Sequence, residues 1–204
     1  RTDFAKTLAI MDITYSPLDP EVMFAGTGSF SNGDGIETAP VSGVMRSSDG
    51  GDTWVSLTPI ETGTSAYRIR AIVPTTEVVN GGQVLYAGAV QANNRATINI
   101  NLGGLYRYRY DAEAGIPTWK RLVAGAVSDI KADPRDPTGR TLFAVQPGRG
   151  VIMTSDGGDS WQTVNAGISD TLISGSINAR LAISNTASGF QLAVGFVNPP
   201  PPAP

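Results

Sequence analysis

The 204 residues include no histidine and no cysteine. That removes the usual general base, thiol nucleophiles, disulfides and the two side chains that most often hold transition metals. Any chemistry must run on carboxylates, Tyr, Ser/Thr, Lys or Arg. Asp12 and Asp129 stand out by position, because each precedes an apolar strand residue, Ile13 and Ile130, and could face an inner channel. Two carboxyls about 5–10 Å apart, one protonated and one ionised, can hydrolyse a glycosidic bond. Most other acidic residues fall in Asp-Pro turns and Gly-rich hairpins, where water and backbone amides keep carboxylates ionised. The same solvated or strand-capping role is the expectation for Asp12 and Asp129. No catalytic residue, cofactor-binding residue or metal site is assigned.

Three further constellations gather polar or aromatic groups. Asn32-Gly-Asp34-Gly-Ile-Glu37 gathers oxygen ligands but lacks the ligand spacing of a calcium loop, so it reads as a surface loop. Tyr67-Arg68-Ile69-Arg70 reads as a strand with outward-facing arginines. Along Leu105–Tyr110, Tyr106, Tyr108 and Tyr110 point one way while Arg107 and Arg109 point the other. Exposed, that tyrosine ladder could stack on sugars or dock a protein; buried between sheets it is core, and core is the expectation. A net charge of −3 with scattered signs disfavours nucleic acid as partner. No apolar run approaches the length of a membrane span, about 20 residues.

Elements that could position these groups follow from a repeat. Apolar residues reach 41% beside 24 glycines and 14 prolines, a mixture that suits short strands joined by tight turns. An apolar strand, a turn, then a second apolar strand ending in small residues recurs as Ile13–Pro20 with Val22–Gly26, and as Ile69–Pro74 with Val84–Gly88 after a loop. It recurs again as Ile130–Pro137 with Leu142–Val145, and more faintly as Leu181–Ser184 with Phe190–Gly195. Phe24, Tyr86, Phe143 and Leu192 hold equivalent places. Their spacing matches four-stranded units of about 40–50 residues with loop insertions. The surplus length falls in Gly28–Pro40 and Gln91–Asn101.

Two segments carry the sharpest signal: Ser47-Ser-Asp49-Gly-Gly51-Asp-Thr53-Trp54 and Thr154-Ser-Asp156-Gly-Gly158-Asp-Ser160-Trp161. Glycine pairs permit positive φ in a hairpin turn, and the aspartates can accept from turn amides. The hydroxyls of Ser47, Thr53, Thr154 and Ser160 can close the hairpin mouth. Trp54 and Trp161 can anchor each hairpin against a neighbouring sheet. Between them, Gly104–Arg107 and Thr118-Trp119 look like the ends of a degenerate copy whose turn became Asp111–Pro117. This pattern resembles the Asp-box (bacterial neuraminidase) repeat over nearly the whole chain, the last forty residues matching least.

The resemblance implies an all-β fold: a β-propeller of four-stranded antiparallel blades, about four in this chain. It also implies that the ten residues of the two boxes are structural, at the blade periphery and away from the ligand face. Such propellers occur in sialidases, xyloglucan-type glycoside hydrolases, sortilin-like receptors and photosystem assembly factors, so fold does not choose an activity. The domain expectation is a propeller segment over residues 1–197 and a Pro-rich linker or tail over 198–204. Arg1 opens without a Met, and both ends read as cuts from a larger secreted, cell-surface or periplasmic protein. The expected function is a non-catalytic module binding protein or glycan, its partners being the remaining blades or another chain. The alternative is part of a glycoside hydrolase whose carboxylates lie partly elsewhere.

Overall fold

The computed structural model describes residues 10–28, 43–57, 67–92, 98–187 and 189–199. Four antiparallel sheets follow one another along the chain. The first is β1 (Ile10–Tyr15), β2 (Met23–Thr27), β3 (Val44–Ser47) and β4 (Val55–Ser56). The second is β5 (Tyr67–Val79), β6 (Gly82–Ala92), β7 (Ile98–Asp111) and β8 (Ile116–Ala124). The third is β9 (Asp129–Ala132), β10 (Leu142–Gln146), β11 (Gly150–Thr154) and β12 (Gln162–Thr163). A one-turn helix α1 (Asp170–Ser174) then leads to a hairpin of β13 (Asn178–Thr186) and β14 (Gly189–Val197). Three units are four-stranded, and the fourth has two strands among the described residues.

Turn chemistry sets the hairpins. Asp19 and Asp133 each accept, through Oδ1, the N–H two residues on, from Glu21 and Arg135, both at 2.9 Å. These Asx turns reverse the chain between first and second strands. In the second unit Asn80 and Gly81 both take positive φ, 47° and 78°, which makes a two-residue hairpin. Strand therefore continues where the repeat suggested a loop between Pro74 and Val84, with a register irregularity between Pro74 and Val78. The polar stretch 91–101 is likewise strand at both ends.

First strands neighbour one another: β1 lies beside β5, β5 beside β9, and β9 beside β13. The sheets thus radiate from a shared inner edge as propeller blades, and each junction holds an apolar core. Val22, Phe24 and Val44 of blade 1 meet Ile69, Ile72, Leu85 and Tyr106 of blade 2. Tyr86 and Leu105 of blade 2 meet Ile130, Leu142 and Ile152 of blade 3. Phe143, Val145 and Val151 of blade 3 meet Ala179 and Leu181 of blade 4. Close approach demands glycine at equivalent second-strand sites. A Cβ on Gly26 would lie 2.7 Å from Ile69 Cγ2, and one on Gly88 would lie 2.9 Å from the Val127 carbonyl oxygen.

Candidate functional site

The four first strands bring their polar side chains to the inner edge, where five charged groups gather. Asp12 on β1 accepts, through Oδ2, the backbone N–H of Ile72 on β5 at 2.7 Å. Asp129 on β9 does the same two junctions later, its Oδ2 accepting the N–H of Leu181 on β13 at 2.9 Å. Its Oδ1 takes the N–H of Ile130 at 2.9 Å and lies 3.1 Å from Lys131 Nζ. Asp12 pairs with Gly26, Ala71 with Gly88 and Asp129 with Val145, so the three occupy equivalent register positions. Ala71 has no carboxylate to offer.

Beside Ala71, Arg70 sits at the bulge between Ile69 and Ala71, a device that re-aims a side chain. It is 8% exposed, so this arginine faces inward, correcting the outward orientation expected for the Tyr67–Arg70 strand. Its Nη2 donates to Asn178 Oδ1 on β13 at 3.4 Å, and Arg180 Nη1 donates to the Ser128 carbonyl at 3.4 Å. Burial, with the Arg180 charge adding to it, brings the Arg70 guanidinium down to about 10. Burial also pushes the Asp12 carboxyl above its ordinary range. The Ile72 N–H and Lys131 oppose that rise, while Asp129 adds to it.

At the periphery the two glycine turns share one network. Ser47 Oγ and Thr154 Oγ1 each donate at 2.7 Å to the aspartate two residues on, and accept the Gly51 and Gly158 N–H at 2.9 and 3.0 Å. Asp49 and Asp156 accept the N–H of Thr53 and Ser160 at 2.9 and 3.0 Å, and their hydroxyls at 2.5 and 2.6 Å. The two hydroxyls of each turn therefore meet through the carboxylate between them. Trp54 and Trp161 donate their indole N–H to the Gly51 and Gly158 carbonyls at 3.0 and 3.2 Å. The degenerate turn replaces this network with Asp111, whose Oδ1 accepts from Glu113 and Ala114.

The blade 3 turn is also gripped by blade 2. Tyr86 Oη donates to the Gly157 carbonyl at 2.6 Å, and Arg107 Nη1 donates to that carbonyl and to Asp159 Oδ1 at 2.5 and 2.8 Å. Sequence reading placed Arg107 only by alternation and did not assign it this clamp. Arg107 stands opposite Tyr86 in the strand register, a pairing that only the sheet reveals. Tyr106 is fully buried and Tyr108 packs at 5.1 Å on Trp119, so the tyrosine ladder is core as expected over those two residues. The segment Asn32–Glu37 lies outside the described residues.

No family model matches the chain, and no curated protein matches it. Among solved structures, a GH74 enzyme of Niastella koreensis superposes with a TM-score of 0.50 at 14% identity, over 76% of this chain and 22% of that one. YCF48 from Cyanidioschyzon merolae gives 0.48 at 18% identity, over 89% of this chain and 48% of that one. The likeness is one of fold. The chain spans less than half the length of either.

What the inner cluster can do follows from its bonds. A hydrolytic pair needs one protonated carboxyl and one ionised oxygen left for substrate or water. Asp12 has the raised affinity for a proton, but both Asp129 oxygens are already taken by Ile130, Lys131 and Leu181. As placed, the two aspartates tie β1 to β5 and β9 to β13. Among the described residues no cluster of acidic side chains is arranged to hold a metal ion, and no helix is long and apolar enough to cross a membrane.

Proposed function

We propose that this chain is a non-catalytic scaffold module of the Asp-box propeller type, working outside the cytoplasm and binding protein partners. One observation carries the reading: the carboxylates best placed for chemistry, Asp12 and Asp129, are used as acceptors for the Ile72 and Leu181 amides of the next blade. The peripheral networks of Asp49 and Asp156 support the same view, since every polar atom of those carboxylates faces its own turn. Extracellular placement rests on the resemblance of those turns to Asp boxes.

The competing reading, part of a glycoside hydrolase, draws on the raised pKa of Asp12, the property a general acid needs. Assaying the purified chain against sialosides and β-glucans, and titrating it with the same glycans, separates the two. The scaffold reading expects no turnover. Turnover that survives purification and disappears in Asp12→Asn or Asp129→Asn would overturn it, and saturable glycan binding without turnover would move the ligand class from protein to glycan.

A further inference from the structure

We propose that the outer junction of blades 1 and 2 is a binding site for an acidic, glycine-rich turn of a partner polypeptide, with Arg46 receiving its carboxylate. The proposal rests on the scaffold reading for its choice of a protein ligand. Its observations are separate, and they lie between two blades that the chain itself supplies.

The next junction is the template. Tyr86 pairs with Arg107, and Arg107 with Lys120, across the strands of blade 2. From that position Arg107 donates to the Gly157 carbonyl and the Asp159 carboxylate of the blade 3 turn. Trp161, just before β12, donates its indole N–H to the Gly158 carbonyl at 3.2 Å. Two carbonyls and one carboxylate of a single turn thus satisfy an arginine and a tryptophan.

Blade 1 repeats the arginine. Phe24 pairs with Arg46, and Arg46 with Val55, so Arg46 holds the register position of Arg107. Directly opposed side chains share a sheet face, and Phe24 faces blade 2. Arg46 is therefore on the face toward blade 2, as Arg107 is on the face toward blade 3. Blade 2 repeats the tryptophan. Trp119 precedes Lys120, the partner of Arg107, as Trp161 precedes Gln162, the partner of Met153. What blade 2 lacks is the turn. Its strands stay paired as far as Asp111 and Ile116, which carries the reversal out to residues 112–115 and leaves Tyr108 in the place of Thr154.

Both donors are left over. The Arg46 guanidinium has no hydrogen bond or ion pair among the described residues. Trp119 Nε1 is buried without an acceptor, although a buried indole N–H usually finds one. Around them Leu57, Tyr108 and Trp119 pack against the core, while Val55, opposite Arg46, is 58% exposed. The junction is thus an apolar rim with one positive charge and one covered donor. That set complements the acceptors of the blade 3 turn. A carboxylate meets the guanidinium in a charge-assisted bond. Glycine lets the adjoining carbonyl approach closely as the side chains covering the Trp119 N–H give way.

The test uses the whole isotope-labelled chain and an unlabelled peptide of Met153–Gln162, closed end to end, which carries the blade 3 turn. The indole N–H signals of the three tryptophans are followed by NMR, with Trp119→Phe identifying one of them. The expected result is a saturable downfield shift of the Trp119 signal while those of Trp54 and Trp161 stay in place. Arg46→Gln should weaken binding at least fivefold. The peptide carrying Asp159→Asn should weaken it likewise, a control that leaves the protein untouched. Absence of a saturable shift, which is also the result if another part of this chain fills the junction, would overturn the proposal. So would equal binding by Arg46→Gln or by the altered peptide, or shifts confined to Trp54 and Trp161. Such a failure removes this site alone, since the scaffold reading fails separately, through turnover in the glycosidase assay.

Discussion

In each glycine turn one aspartate replaces backbone acceptors that the reversed chain cannot supply. The Asp49 carboxyl is brought from 3.8 to about 2, first by the Thr53 hydroxyl, then by the Thr53 N–H and the Ser47 hydroxyl. Asp156 is lowered in the same way by Ser160 and Thr154. Because folding depresses these values, the stabilisation is present above the ordinary carboxylate range and is lost as pH falls through the folded value. Thr53→Val should raise the Asp49 pKa in a carboxyl-carbon NMR titration and move acid unfolding to higher pH; an unchanged titration would show that the hydroxyl is not the main cause. Tyr86 behaves oppositely. Burial, with Glu77 adding to it, pushes its phenol up to about 12, so its contribution is present below about pH 10 and lost as pH rises through about 12. Tyr86→Phe should cost about 0.5–1.5 kcal/mol in urea unfolding near neutral pH, because the Gly157 carbonyl keeps Arg107 as a donor.

At the scale of the element, adjoining blades are held by apolar cores and aligned by a few directed bonds. Asp12 and Asp129 supply those bonds at the first and third junctions. At the second, where Ala71 stands, Tyr86 and Arg107 hold the blade 3 turn. Asp12→Ala and Asp129→Ala should each destabilise by about 1–3 kcal/mol in chemical denaturation, the cost of leaving an amide without its acceptor. Asp129→Ala should be the more severe, since the residue is 3% exposed and three donors converge on it. Equal and negligible effects would mean that water replaces the carboxylates. Gly88→Ala should cost about 1–3 kcal/mol, because the added methyl meets the rigid Val127 carbonyl.

Across the whole molecule the two ends of the blade array differ. On β1, Ile13 is 54% and Tyr15 62% exposed, on the face opposite Asp12. The far face of β13 and β14 shows Arg180, Ala182, Ser184, Gln191 and Ala193. Large apolar side chains therefore face outward on blade 1, whereas blade 4 shows mostly small and polar residues there, with Val197 at 51% exposure. Self-association of the purified chain should run through the β1 face. In sedimentation velocity, Ile13→Lys with Tyr15→Lys should shift the chain toward monomer, whereas Ala182→Lys should not. Association insensitive to the β1 charges would place the contact elsewhere.

Strand alternation, Asp-Pro turns and two glycine hairpins are local features. The sequence alone therefore determined the all-β class, the repeat and the composition of both turns, because each depends on residues within a few positions of one another. The same locality hid other things. Asn80-Gly81 carries a hairpin signal, but the irregularity after Pro74 disguised the strand around it. Arg70 reads as outward by alternation, and one bulge residue turns it inward. Nothing near Asp12 or Asp129 in the chain reveals whether their oxygens remain free, since Ile72 and Leu181 come from the next blade. That was decided by tertiary structure, as was the clamp of Tyr86 and Arg107 on Gly157. Bonds between blades join residues far apart in sequence, and only the packed array fixes which donor meets which acceptor.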